Sequence, residues 1–140
     1  MTSFAEGRQP QSSRPLGGPV LIVDDDSDIR EALGDALGQA GYSVLTASNG
    51  LEAMELLKTA KPLVILLDLY MPTMDGVAFR VEQLKDPLLA TIPTVAVSAV
   101  TDMDARIRDL CFDAALAKPV ELDVLLRTVA RCCEPSSRSR

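Results

Sequence analysis

Leu63-Val64-Ile65-Leu66-Leu67-Asp68-Leu69-Tyr70-Met71-Pro72-Thr73-Met74-Asp75-Gly76 decides the fold. Its five apolar residues run without a polar break, as in a strand covered on both faces of a parallel sheet. Asp68 then stands at the mouth of that buried strand, held rigidly yet able to meet solvent. A second apolar run, Val20-Leu21-Ile22-Val23, ends in Asp24-Asp25-Asp26. Two strands that end in acid at one sheet edge build a pocket of carboxylates. Two unit charges ~4 Å apart repel by about 4 kcal/mol at an effective dielectric near 20. Such a pocket calls for a cation.

On either side of this stretch, strand-like and helix-like segments alternate. Strands are expected over 20–23, 43–47, 63–67, 94–97 and 114–117. Helices are expected over 27–40, 51–59, 76–85, 102–110 and 121–133. Gly41 stops the first helix, and Ser48 or Asn49 caps the second. Helical spacing puts Ile29, Leu33, Leu37 and Ala40 inward on the first helix, and Ala53, Met54 and Leu57 on the second. It does the same for Val77, Val81 and Leu84 on the third, and for Leu122, Leu125, Leu126 and Val129 on the last. Five successive βα units imply an α/β fold, a doubly wound parallel sheet with helices on both faces. In such sheets ligands bind outside the carboxyl ends of the strands. Residues 1–18 and 134–140, rich in Pro, Gly, Ser and Arg, read as disordered tails around one domain over 19–133.

The 140 residues suit a single domain with a sizeable core, and 47% are hydrophobic. The net charge of −6 excludes a nucleic-acid binder, which needs a basic footprint. The absence of a ~20-residue apolar stretch or a signal peptide excludes a membrane partner and predicts a cytoplasmic protein. Cys111, Cys132 and Cys133 form no disulfide or zinc pattern. There is no histidine, which removes Ser-His and Cys-His catalysis and any phosphohistidine on this chain.

The chemistry lies at strand ends. Asp24 and Asp25 follow the first strand, Asp68 the third, Ser98-Ala99 the fourth and Lys118-Pro119 the fifth. Magnesium, or manganese, prefers oxygen ligands and needs few carboxylates beside phosphate oxygens. Phosphoryl transfer asks mainly for positioning and charge neutralisation. Asp68 suits an attacking carboxylate, Lys118 a partner for phosphoryl oxygens, and Ser98 a hydroxyl donor that senses the new group.

These motifs together resemble the receiver domain of two-component response regulators, over about residues 19–133. The resemblance implies a flavodoxin-like (βα)5 sheet in order 2-1-3-4-5. It implies that Asp68 is the phosphoacceptor, that Asp25, Asp68 and the backbone carbonyl of Tyr70 bind magnesium, and that Asp24 acts mostly through water. It implies a phosphohistidine donor on a sensor histidine kinase or histidine phosphotransfer protein. It further implies a downstream protein contact through about 102–133. The switch region is expected at Ala99 and Ala115. Ala115 stands where the family usually carries Tyr or Phe, so signalling is expected to rest on movement over 99–110. Tyr70 stands where a smaller polar residue is frequent, and its ring is expected to bear on dephosphorylation. Cys111-Phe112 replaces a typical Gly-Ala, with Phe112 filling some of the missing aromatic volume.

Two other classes compete. A pseudo-receiver would bind partners without phosphorylation. An aspartate-nucleophile phosphohydrolase wants a second Asp two residues after the nucleophile, where Tyr70 stands here. The expected protein is not an enzyme beyond its own phosphorylation and dephosphorylation.

Overall fold

The computed structural model describes residues 18–71, 73–99 and 108–133. The expected tails, apart from Gly18, lie outside these residues, as does the helix expected over 102–110 up to residue 107.

The elements run β1 (Val20–Val23), α1 (Ser27–Gln39), β2 (Val44–Ala47), α2 (Gly50–Leu56), β3 (Val64–Asp68) and α3 (Gly76–Lys85). A short 3-10 turn (Leu89–Thr91), β4 (Thr94–Ala99), β5 (Ala114–Lys118) and α4 (Leu122–Cys132) follow. The five strands form one sheet in the order β2-β1-β3-β4-β5, all parallel. All strand C-termini therefore reach one edge. Both β3 and β4 extend further than the apolar runs suggest, so Asp68, Ser98 and Ala99 are strand residues.

The central strands are apolar because both faces are covered. On one face Val20, Ile22, Val64, Leu66, Val95 and Val97 pack with Leu33 and Leu37 of α1 and with Leu125 and Val129 of α4. On the other, Leu21, Val23, Ile65 and Leu67 pack with Ala53 of α2 and Phe79 of α3. The helix starts are capped by acids and amides. The Asp26 carboxylate accepts from the backbone N–H of Asp28 and Ile29, Asn49 from Glu52, and Asp75 from Ala78. Between Ser48 and Asn49, the cap of α2 is Asn49; Ser48 instead donates its N–H and hydroxyl to Glu52. Gly41 stops α1 with φ +100°, a conformation that favours glycine.

The third helix departs from the periodicity reading. Val81 and Leu84 face solvent, and Phe79, Arg80 and Gln83 face the sheet. Arg80 is only 3% exposed. Its Nε donates to the Leu110 carbonyl at 3.0 Å, Nη2 to the Cys111 carbonyl at 2.8 Å and Nη1 to Gln83 Oε1 at 2.8 Å. Gln83 Nε2 in turn donates to Thr94 Oγ1 at 3.0 Å and to the Leu89 carbonyl at 2.9 Å. Buried polar groups persist where they are hydrogen-bonded, and these are. On α4, Leu125 and Val129 are buried as expected, while Leu122 is exposed and Thr128 takes an inward place.

Phe112 lies under the Arg80 guanidinium, 5.0 Å from ring centroid to carbon, and packs with the α2/α3 face of the core. Ala115 remains exposed, so Phe112 does not cover it.

Candidate functional site

The site forms at the carboxyl edge because the first, third and fifth strands each end there in a charged residue. Asp24 directly follows β1, Asp68 is the last residue of β3 and Lys118 the last of β5. Asp24 and Asp68 are 2% and 5% exposed, whereas Asp25 is exposed. One carboxylate oxygen from each of Asp24, Asp25 and Asp68 lies within 4.8 Å of the others. Lys118 Nζ bridges two of them, at 3.1 Å from Asp24 Oδ2 and 3.4 Å from Asp68 Oδ2. Of the constellation expected from the strand ends, Asp24, Asp25, Asp68 and Lys118 thus come together at this edge.

Backbone contacts hold the two buried acids in place. The N–H of Asp26 donates to Asp24 Oδ1 at 2.9 Å, and the N–H of Tyr70 to Asp68 Oδ1 at 3.3 Å. The loop after Asp68 closes on itself through the Gly76 N–H to the Leu69 carbonyl, 3.0 Å. A side chain at residue 76 would collide with the Asp68 carbonyl, so α3 can begin against β3 only with glycine there. At Gly50 the N–H donates to the Met74 carbonyl at 2.8 Å, and an added Cβ would meet Met74 at 2.6 Å. The start of α2 thereby fastens the same loop.

Ser98 is buried on β4, paired in register with Ala117, and Ala99 pairs with Lys118. Ser98 and Ala99 thus sit on the strand between those that carry Asp68 and Lys118. Ala99 is exposed, as is the ring-bearing Tyr70, at 38%. The Lys118-Pro119 peptide is cis.

Sequence reasoning missed Arg30. Its Nη1 donates to the Asp24 backbone carbonyl at 2.7 Å and fastens the start of α1 to the end of β1. The available signal was a basic residue one turn into a helix that opens with acids.

The electrostatics are unbalanced. Burial and the neighbouring Asp24 charge raise the Asp68 carboxyl to a pKa of about 7, against the opposing pull of Lys118. Burial disfavours the Lys118 ammonium, but its bonds and attraction to Asp24 and Asp68 prevail and its pKa rises. Three carboxylates face one ammonium, an excess of two negative charges when all are ionised. A hard dication with oxygen ligands fits both that deficit and that donor set.

Among the described residues no helix is long and apolar enough to cross a membrane. Residues 20–130 match the family described as response regulator receiver domain. The chain is 37% identical over 123 residues to the sensor histidine kinase RcsC of Salmonella typhimurium, covering 86% of this chain and 13% of that kinase. It is 40% identical over 119 residues to the DNA-binding transcriptional regulator NtrC of Escherichia coli, covering 81% of this chain and 24% of that protein. The chain therefore spans only a small part of these relatives. Among solved structures, it resembles the signal receiver domain of a signal transduction histidine kinase from Syntrophus aciditrophicus. That match has a TM-score of 0.78 at 32% identity, over 83% of this chain and 89% of that one. The chemotaxis response regulator CheY4 of Vibrio cholerae gives 0.77 at 30% identity, over 83% and 98%.

Proposed function

Because the chain belongs to the response regulator receiver domain family, a family of signalling domains in two-component systems rather than classical enzymes, we propose that it is a phosphoacceptor switch with Asp68 as the acceptor. The observation that carries this reading is the bridging of Asp68 and Asp24 by Lys118 beside the exposed Asp25. That geometry sets a nucleophilic carboxylate against a fixed cation at a solvent-open edge.

An Asp68 oxygen attacks the phosphorus of a phosphohistidine on a sensor histidine kinase or histidine phosphotransfer protein. The new P–O bond makes an acyl phosphate. The P–N bond breaks, its electron pair stays with the imidazole, and that ring takes a proton from solvent. The attacking carboxyl must be ionised, and its raised pKa makes that costly until further positive charge joins Lys118 beside it. Asp25, Asp68 and the Tyr70 backbone carbonyl would hold magnesium or manganese, with Asp24 acting mostly through water. When bound, the metal supplies charge neutralisation for the phosphoryl oxygens.

Lys118 stays protonated and pairs with a phosphoryl oxygen once the Asp68 charge is esterified. Ser98, buried one strand away, donates its hydroxyl to the same group. Ala115 is too small to gate this event, so the report to a downstream protein runs through the backbone of the β4–β5 region and the surface over 102–133. Tyr70, whose backbone N–H binds Asp68 Oδ1, carries an exposed side chain that bears on the rate of dephosphorylation.

The test is incubation with magnesium and a small phosphodonor, followed by intact mass. The expected result is a gain of one phosphate, absent in Asp68→Asn. A wild-type chain that gains nothing from any donor would instead be a pseudo-receiver.

A further inference from the structure

The fifth strand poses a mechanical problem. It is the sheet edge, bonded to β4 alone, and its sequence is Ala114-Ala115-Leu116-Ala117-Lys118. Only Leu116 is fully buried, and Ala115 and Ala117 are exposed. Three alanines offer little packing to fix a strand whose last residue must hold an ammonium within 3.4 Å of two carboxylates.

The polar network from α3 meets this strand at its entry. Arg80 binds the Leu110 and Cys111 carbonyls, and its guanidinium covers the Phe112 ring. Cys111 is in the left-handed region, φ 55°, which a residue with a Cβ resists. The bond from Arg80 Nη2 to its carbonyl holds it there. Asp113 then accepts from the Thr94 N–H at 2.8 Å and donates its own N–H to the Thr94 carbonyl at 2.9 Å. Gln83 ties Thr94 back to Arg80. The starts of β4 and β5 are therefore fastened to one helix through two buried side chains, where side-chain packing alone is thin.

We propose that Arg80 is a positioning residue for Lys118: it seats the entry of β5 on α3, and so sets where the lysine lies over Asp68, seven residues after Cys111, the last main-chain carbonyl it binds. This rests on the reading of Asp68 as phosphoacceptor. Arg80 touches none of the reacting atoms and acts only through β5.

Arg80→Met retains the apolar stem and removes the three donors. The expected result is a rise in amide hydrogen exchange over Ala114–Lys118 about tenfold beyond any rise across β1 and β3. Phosphoryl uptake from a small phosphodonor with magnesium is expected to slow about fivefold. Leu57→Ala, a core truncation at the C-cap of α2, serves as a control for lost stability and is expected to give neither the excess of β5 exchange over β1 and β3 nor the slower uptake. A β5 exchange that rises no more than that of β1 and β3 in Arg80→Met overturns the proposal. So does an equal slowing in Leu57→Ala, which would mean that Arg80 acts only through global stability. Should Arg80→Met not fold, Arg80→Lys keeps the charge without the fork and is expected to show both changes at smaller size; their absence overturns the proposal equally. A wild-type chain that takes up no phosphoryl group overturns the phosphoacceptor reading itself, whereas normal wild-type uptake with an unmoved β5 in the variant overturns only the clamp.

Discussion

The two ends of the sheet bury polar groups in opposite ways. At the amino end of β4 and β5, Arg80, Gln83 and Thr94 meet partners at ordinary hydrogen-bond distances. At the carboxyl end, Asp24, Asp25 and Asp68 crowd around one lysine and remain short of positive charge. The first arrangement is satisfied and stabilises; the second is frustrated until something binds. Burial of polar groups alone therefore does not mark a functional site, but burial with an uncancelled charge does.

The difference is broken most strongly at the satisfied end. Arg80→Ala leaves the Leu110 and Cys111 carbonyls without their side-chain donor, takes from Gln83 Oε1 the shorter of its two bonds and opens a cavity. It is expected to cost about 3 kcal/mol or more, read from urea denaturation. At the frustrated end the same kind of deletion has the opposite sign. The folded Asp68 carboxyl holds its proton up to about pH 7, well above its ordinary value of 3.8. Its contribution is thus complete below the ordinary carboxylate range and is lost as pH rises through 7. Asp68→Asn removes that loss. Metal-free Asp68→Asn is expected to match wild type near pH 4 and to exceed it by roughly 1–3 kcal/mol at pH 8. Magnesium is expected to narrow the gap by stabilising wild type in thermal melts.

Lys118→Met removes the one cation among the described residues that bridges the acids. It is expected to destabilise the metal-free protein at pH 8 by about 1–2 kcal/mol, and less at pH 4 where Asp68 is protonated in either case. The smallest effect is expected on the outer face of α3. Leu84→Gln replaces an exposed apolar residue and is expected to shift stability by less than about 0.5 kcal/mol by the same denaturation.

That last variant also shows where sequence is a poor guide. The strands were legible because both faces of a parallel sheet need apolar residues, and Asp68 and Lys118 were legible because each closes such a run. On α3 the apolar spacing of Val77, Val81 and Leu84 points inward, yet Arg80 and Gln83 occupy the buried face. Their partners are carbonyls at Leu110, Cys111 and Leu89, up to 31 residues away in the chain, and no local pattern reveals them. Leu122 and Thr128 on α4 exchange places for the same kind of reason: periodicity ranks residues by polarity, whereas burial follows the neighbours that the fold supplies. Arg30 stayed hidden because its acceptor is a backbone carbonyl, which every residue carries.

The frustrated pocket is tested most directly by intact mass after incubation with magnesium and a small phosphodonor. The expected result is one phosphate on the wild-type chain and none on Asp68→Asn. The same gain in Asp68→Asn, or no gain in wild type with any donor, would contradict the assignment of Asp68 as the acceptor.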